Sequence, residues 1–224
     1  MPSGTAITEP RAPARLWRAA FFLGVVRPLV ALVLGVNLRH GERLPSQGPA
    51  ILLANHNSHL DALTLMALLP HRLLPRIRPV AALDYFLKTR WLAWLATRII
   101  GIIPLDRRPK PGTDPLAEPD AALARGDILI LFPEGSRGEP ERLQSFKTGI
   151  AHLAKRWPEV PVIPVFLHGL GKALPKDAFL LVPFFVDVFV GKPVPWTGER
   201  ADFMARLEAA MRALAAECRA PEWD

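Results

Sequence analysis

Short apolar runs that end abruptly in polar motifs constrain the fold of this chain more than any other feature. Residues 49–54 run straight into Asn55, and residues 127–132 run straight into Pro133. Apolar runs of this length predict strands that are buried on both faces, which occur mainly in parallel sheets. In such sheets, functional residues gather where strands end and helices begin. Both polar motifs are therefore predicted to lie at one edge of a sheet.

Helical patterns alternate with the apolar runs along most of the chain. Strands are predicted over residues 49–54, 79–83, 127–132, 160–167 and 184–190. Helices are predicted over residues 62–69, 88–100, 120–125, 149–156 and 200–217. This alternation predicts an α/β fold with a largely parallel central sheet flanked by helices. A length of 224 residues suits a single domain of this kind, and no linker divides the chain.

The most apolar stretch, residues 19–38, follows a start rich in proline and alanine. We predict a loose tail over residues 1–15, a membrane-associated helical segment over 16–38 and one globular domain over 39–224. Arg27 and Pro28 interrupt the apolar run, and an arginine at the centre of a spanning helix costs roughly 2.5 kcal/mol or more. We therefore prefer a helix or helix pair in the membrane interface, with Arg27 extended to lipid headgroups. The alternatives are a helix packed on the protein's own core and a true spanning helix.

The charge balance points to anionic partners, because 28 Lys and Arg face 21 Asp and Glu, for a net charge of +7. A basic, apolar protein suits an anionic membrane surface or anionic substrates. Nucleic acid is the competing interpretation, and it is disfavoured because the basic residues lie among apolar runs beside a single tyrosine. Cys218 is the only cysteine, so an internal disulfide is excluded. No Cys and His residues have the spacing of a zinc site.

The first polar motif supplies a candidate base and a carboxylate to orient it. His56 follows a predicted strand, and Asp61 lies five residues later at the start of a predicted helix. With His56 in the loop and Asp61 in the first helical turn, the two side chains can meet, and the second ring nitrogen can deprotonate an alcohol. Asn57 or Ser58 is predicted to cap the helix. His59 is a competing base. The alternative to catalysis is that His56 is a loop histidine without a chemical role and that Asp61 only caps the helix.

The second polar motif suits a phosphate group. Gly135 permits close backbone approach to a ligand, and Arg137 can grip phosphate in a bidentate manner. Glu134 can accept hydrogen bonds from that arginine or from a substrate hydroxyl. Lys147, just before a predicted helix, and Arg107, at the end of an apolar stretch, add two cations. Convergence of Arg107, Arg137 and Lys147 on one phosphate is a hypothesis, and a strand-end turn with a surface ion pair is the alternative.

Taken in order, four segments of the chain resemble the 1-acyl-glycerol-3-phosphate (lysophospholipid) acyltransferase family. The matching segments are Asn55-His56 with Asp61, residues 101–107 (Gly-Ile-Ile-Pro-Leu-Asp-Arg), residues 132–137 (Phe-Pro-Glu-Gly-Ser-Arg) and residues 160–165 (Val-Pro-Val-Ile-Pro-Val). The resemblance extends over roughly residues 39–195. The chain departs from the family pattern at Pro104 and Leu105, where members often carry Phe-Ile or Phe-Val.

The resemblance implies that residues 39–224 form an acyltransferase catalytic domain. His56, oriented by Asp61, would deprotonate a lysophospholipid hydroxyl, which attacks an acyl thioester of CoA or acyl carrier protein. The acceptor would be held by Arg107, Glu134, Gly135, Ser136, Arg137 and Lys147. No metal and no protein-bound cofactor is needed.

The implied product is phosphatidic acid, made at the cytoplasmic face of the cell membrane, where lipids and acyl thioesters meet. Acylation of another lysolipid, such as lyso-ornithine lipid, is the first alternative. A thioesterase and a non-catalytic lipid-binding protein are the others. Residues 167–183 match no motif and are a candidate region for acceptor choice.

Overall fold

A seven-stranded sheet organises the part of the chain that this computed structural model describes, namely residues 12–82, 93–106, 112–135, 143–174 and 182–218, with backbone only for residues 12–15. The strands are β1 (Leu34–Arg39), β2 (Ala50–Ala54), β3 (Ile77–Ala82), β4 (Ile103–Leu105), β5 (Ile128–Leu131), β6 (Val162–His168) and β7 (Phe184–Val190). Their order is β1-β7-β6-β2-β5-β3-β4, and every pair is parallel except β6 with β7. The predicted α/β fold with a largely parallel sheet is confirmed.

Helices cover both faces of this sheet. They are α1 (Ala12–Phe21), α2 (Arg27–Leu32), α3 (Asp61–Leu68), α4 (Ala117–Ala124), α5 (Gly149–Arg156), α6 (Leu170–Ala173) and α7 (Arg200–Glu217). Wider, π-helical turns occupy Phe22–Val26 and Leu95–Ile100, and 3₁₀ turns occupy Gly41–Arg43 and His71–Arg76. Among these helices we find none with the length and apolar content that a membrane crossing requires, within the described ranges.

Burial on both faces explains why the central strand β2 is apolar without alternation. Leu52 and Ala54 point into one core layer, which includes side chains from α2 and α3. Ile51 and Leu53 point into the other layer, which includes side chains from α5 and α7. A strand covered on both sides has no solvent face for polar residues. Its polar residues therefore begin only where the strand leaves the core, at Asn55.

The N-terminal boundaries differ from the prediction. Helix α1 begins at Ala12, so residues 12–15 are helical and do not belong to a loose tail. The helical segment predicted to reach residue 38 ends at Leu32, and Leu34–Arg39 form the edge strand β1. The reason is non-local, because β1 pairs in parallel register with β7, from Leu34 opposite Phe184 to Arg39 opposite Phe189. The domain therefore begins before residue 39.

The N-terminal helices have two apolar faces. Phe22, Val26 and Val30 are buried in the core beneath α1 and α2, which agrees with the alternative of a helix packed on the protein itself. The opposite side carries apolar side chains that are exposed to solvent, namely Leu16, Trp17, Leu23, Val25 and Leu32. One sequence stretch thus contributes to the core and also presents an apolar outer surface.

The predicted extension of Arg27 to lipid headgroups is wrong. Its Nη2 donates a hydrogen bond of 2.7 Å to the carbonyl oxygen of Leu69, directly after the end of α3. The last carbonyl groups of a helix lack intrahelical donors, and a cation near them also interacts favourably with the helix dipole. Arg27 therefore turns toward the protein and helps to hold α2 against α3.

Arg18 fixes α1 to the sheet from a buried position. Only 2% of the residue is exposed, and its Nη2 donates to the carbonyl oxygen of Ile77 at 2.7 Å. Burial, reinforced by the charge of Arg78 and opposed by that of Asp127, lowers the pKa of Arg18 to about 9. A Cβ atom built on Gly101 would lie 2.6 Å from the Nη1 atom of Arg18 and 2.9 Å from that of Arg78. The absence of a side chain at Gly101 makes room for both guanidinium groups.

Candidate active site

The two polar motifs lie side by side, where β2 and β5 end. These strands are parallel neighbours, with Leu53 opposite Leu131, so their carboxyl ends reach the same edge of the sheet. His56 follows β2 after one residue, and Phe132 follows β5 directly. The fold therefore brings together two segments that are far apart in the sequence.

His56 and Asp61 form the predicted contact. The Nδ1 atom of His56 lies 2.9 Å from Oδ2 of Asp61, which is fully buried at the first residue of α3. The same oxygen accepts backbone N–H bonds from Asn57 at 2.6 Å and Ser58 at 2.9 Å. These bonds fix the carboxylate against the loop. A proton on Nδ1 would bond this carboxylate, which leaves Nε2 as the ring nitrogen able to accept a proton.

The ring of His56 also stacks on Phe132. The ring centroids are 4.1 Å apart and the planes are inclined by 22°. Phe132 belongs to the second motif, so this contact joins the two motifs directly. A ring held by a carboxylate at one edge and by an aromatic face has little rotational freedom, which favours a defined proton-transfer geometry.

The predicted cap of α3 is confirmed in part, at Ser58. Its hydroxyl oxygen accepts the backbone N–H of Leu60 at 3.3 Å, and Asp61 bonds back to the backbone N–H of Ser58, although Leu60, the residue directly before the helix, provides no side-chain cap. The hydroxyl of Ser58 also donates to the carbonyl oxygen of Leu174 at 2.9 Å. His59, the competing base, has an exposed side chain, whereas the buried carboxylate bonds His56.

Glu134 is an unusual carboxyl group for this position. It is 3% exposed, and neither of its oxygens has a hydrogen-bond partner among the described residues. Burial, with a contribution from the charge of Asp61, raises the pKa of Glu134 to about 7. The backbone N–H groups of His56 and Gln144 face the carboxyl group and partly oppose this rise, without reaching good hydrogen-bond geometry. Glu134 is therefore poised between its neutral and ionised forms near neutral pH.

Lys147 lies against the glycine of the second motif. Its backbone N–H donates to the carbonyl oxygen of Pro133 at 2.9 Å. A Cβ atom built on Gly135 would lie 2.8 Å from Nζ of Lys147, and Gly135 has a φ of +72°. The backbone angle favours glycine here, and a side chain at this position would displace the flexible end of Lys147. The structure thus brings Lys147 to Gly135, while Arg107, Ser136 and Arg137 lie outside the described residues. Convergence of the three cations remains a prediction.

Asn55 is the residue whose contacts the sequence did not indicate. Its Nδ2 donates to the carbonyl oxygen of Leu167 at 2.8 Å, and the N–H of Leu167 donates to its Oδ1 at 2.7 Å. No local signal predicts this contact, because an asparagine amide ordinarily bonds backbone within a few residues, whereas Leu167 is 112 positions away. In the ranges that the structure describes, we find no group of three or more His, Cys, Asp or Glu side chains placed to hold a metal ion.

Comparison with known proteins identifies a family whose sequence pattern this chain matches. The model of the Acyltransferase family matches residues 35–168. The chain is 32% identical over 177 residues to the chloroplastic 1-acyl-sn-glycerol-3-phosphate acyltransferase LPAT1 of Arabidopsis thaliana, covering 75% of this chain and 46% of that protein. It is 28% identical over 184 residues to 1-acyl-sn-glycerol-3-phosphate acyltransferase alpha of Homo sapiens, covering 79% of this chain and 61% of that protein. The chain thus spans less than two thirds of the length of these relatives.

The fold also has a counterpart among solved structures. The crystal structure of PlsC, the 1-acyl-sn-glycerophosphate (LPA) acyltransferase from Thermotoga maritima, matches with a TM-score of 0.73 and 21% sequence identity. The match covers 95% of this chain and 85% of that chain. At this level of identity, the comparison establishes a common fold.

Proposed function

The chain belongs to the Acyltransferase family, and on that premise we propose that it is an O-acyltransferase acting on 1-acyl-glycerol-3-phosphate. It would move a fatty acyl group from an acyl thioester to the free hydroxyl of this acceptor, giving phosphatidic acid. The observation that carries the proposal is the 2.9 Å contact between His56 and Asp61 beside the turn that contains Glu134 and Gly135. The relatives named 1-acyl-sn-glycerol-3-phosphate acyltransferase support the acceptor.

The first step is proton transfer from the acceptor hydroxyl to Nε2 of His56. Asp61 stabilises the imidazolium that forms, because its carboxylate bonds the Nδ1 proton. The burial of Asp61 and its two backbone N–H bonds keep that carboxylate in place. General base catalysis of this kind contributes about 10²- to 10⁴-fold to a rate.

The second step forms the ester. The acceptor oxygen attacks the thioester carbonyl carbon, and the resulting tetrahedral intermediate carries the negative charge on the former carbonyl oxygen. Collapse re-forms the carbonyl, breaks the carbon–sulfur bond and releases the thiolate, which takes the proton from His56. The ring then returns to its starting state. No metal and no protein-bound cofactor enters these steps, and CoA or acyl carrier protein would serve as the thiol carrier.

The turn after β5 would bind the phosphate of the acceptor. Lys147 lies against Gly135, which supports a cation at this turn, and we assign Arg107, Ser136 and Arg137 to the same phosphate on the basis of their motifs. Glu134 would contact the glycerol part of the acceptor. A buried carboxyl group with a pKa of about 7 can donate a hydrogen bond when neutral and accept one when ionised.

We also propose that the exposed apolar side of α1 and α2 contacts an anionic bilayer at the cytoplasmic face of the membrane. Leu16 is 73% exposed and Trp17 is 68% exposed, and the net charge of +7 favours anionic headgroups. Sedimentation with vesicles tests this contact. The Leu16→Ser/Trp17→Ser variant should bind anionic vesicles less than the wild type, and equal binding would contradict the proposal.

The decisive experiment measures thiol release from two donors, acyl-CoA and acylated acyl carrier protein. Each donor is tested with and without 1-acyl-glycerol-3-phosphate. We expect release to require the acceptor and to be lost in His56→Ala. The matched control is His152→Ala, because His152 is an exposed histidine on α5. Acceptor-independent release would indicate a thioesterase, and release only with lyso-ornithine lipid would indicate a different acceptor. Loss of activity in both histidine variants would argue against a specific role of His56.

A further inference from the structure

The side chain of Asn55 makes hydrogen bonds to β6 that a continuing strand β2 would otherwise make through its backbone. Paired register between β2 and β6 ends at Ala54 opposite Val165. Beyond it, the buried amide of Asn55 takes up both backbone groups of Leu167, donating to its carbonyl at 2.8 Å and accepting from its N–H at 2.7 Å. One side chain thus satisfies two backbone groups at the end of β6.

A primary amide carries the same donor and acceptor as a peptide group, so it can continue a sheet contact after the backbone has turned away. Buried backbone N–H and C=O groups almost always have partners, and Leu167 is 1% exposed. The backbone of β2 can therefore leave the sheet at residue 55 while the chain stays bonded to β6. The next residue along the chain is His56.

We infer that Asn55 is a positioning residue, which holds the backbone of His56 against β6 and so places the imidazole for proton transfer. The ring itself is fixed on the other side, by stacking on Phe132 after β5 and by bonding to Asp61. Because β2 lies between β5 and β6, the histidine is tied to both neighbours of its own strand. The catalytic part of this inference rests on the proposed function.

The chemistry of the amide provides a test that simple loss of packing would not reproduce. Asn55→Asp has nearly the same shape. A protonated aspartic acid can donate to the carbonyl of Leu167 and accept from its N–H, as the amide does. An ionised aspartate can only accept, and it also faces the carbonyl oxygen of Leu167. Burial and this carbonyl both disfavour the ionised form, so the pKa of the introduced carboxyl group should rise from about 3.9 into the tested range. The variant should therefore resemble the wild type in acid and depart from it as the pH rises.

The experiment compares kcat and KM of wild type, Asn55→Asp and Asn55→Ala between about pH 5.5 and 8.5, each expressed as the ratio to wild type at the same pH. A misplacement of the base by 1 Å can cost about 10²-fold. We expect kcat of Asn55→Asp to fall about 10²-fold at high pH and to recover at low pH, with KM nearly unchanged, while Asn55→Ala stays low throughout. The matched control is Gln47→Glu, which adds the same charge at an exposed residue just before β2, at the opposite end of that strand from His56. Its ratio should be flat.

Ratios to wild type cancel the titration of groups whose pKa is the same in all variants. The titratable groups near this position are His56, Asp61 and Glu134 in the site and His168, which follows Leu167 on β6. A flat ratio for Asn55→Asp would overturn the inference. Wild-type kcat in a folded Asn55→Ala protein would also overturn it, as would a loss confined to KM.

A second measurement does not depend on activity. The Nδ1 proton of His56, assigned by its disappearance in His56→Ala, is followed by NMR in ¹⁵N-histidine protein. We expect this signal in Asn55→Asp to match the wild type in acid and to shift or broaden as the pH rises, with Gln47→Glu unaffected. If the wild type transfers no acyl group, this measurement still decides the structural inference. An Nδ1 signal that is unaltered in Asn55→Asp and Asn55→Ala would overturn it.

Discussion

Glu134 provides the sharpest test of the electrostatics of the site. Its pKa is about 7 in the folded protein, against an ordinary value of 4.5. Below pH 4.5, Glu134 is protonated in both the folded and the unfolded protein, and burial of the neutral acid costs little. Between the two values, the unfolded chain releases its proton while the folded protein retains it, so the wild type loses stability as the pH rises. With about 1.4 kcal/mol for each pKa unit, the full loss above pH 7 is about 3 kcal/mol.

Glu134→Gln keeps the shape of the side chain and removes its ionisation. Denaturant unfolding of both proteins, at about pH 5 and about pH 8, gives the free energy of unfolding at each pH. We expect the variant to gain about 2 to 3 kcal/mol relative to the wild type between these pH values. Glu159→Gln, an exposed control, should change by less than about 0.5 kcal/mol. A difference between Glu134→Gln and wild type that does not vary with pH would refute the reasoning.

Three further substitutions test other parts of the structure. Asp61→Asn should lower kcat by about 10⁴-fold with little change in KM, because the amide favours the wrong histidine tautomer, and steady-state kinetics would detect this. Gly101→Ala should lower the melting temperature in thermal unfolding, because the new Cβ would collide with Arg18 and because the φ of +77° disfavours a side chain. Lys147→Met should raise KM for 1-acyl-glycerol-3-phosphate by about 10-fold and weaken its salt dependence, whereas equal effects on a phosphate-free acceptor would argue against a phosphate contact.

Helices and strands whose residues follow a single hydrophobic pattern from end to end were predictable from the sequence. The predicted strand over residues 184–190 and the predicted helix over 200–217 have the bounds of β7 and α7. Strand β1 was not predictable, because its residues continue the apolar run of the preceding helix and only pairing with β7 makes them a strand. The direction of Arg27 was equally hidden, since an arginine in an apolar run can reach either headgroups or a helix end.

At the candidate active site, too, local contacts were predictable from the sequence and long-range contacts were not. The contact between His56 and Asp61 is local, and its spacing together with the turn from strand to helix was enough to predict it. The amide of Asn55 and the backbone of Leu167 are 112 positions apart, and their pairing depends on the order of the strands. The stacking of Phe132 on His56 likewise requires β2 and β5 to be neighbours. Sequence motifs thus identified the candidate reacting groups, while the contacts that support these groups depend on the fold.

The two apolar faces of the N-terminal helices bear on how this protein can be handled in the laboratory. An apolar leading segment is commonly deleted to make an enzyme easier to express and purify. Here, removal of residues 1–33 would strip away Phe22, Val26 and Val30, which are 0%, 2% and 7% exposed, and would uncover the core layer beneath them. Such a shortened protein would aggregate more readily than the intact chain. Polar substitutions restricted to the outer positions, such as Leu32 at 84% exposure, are the sounder route to a tractable sample.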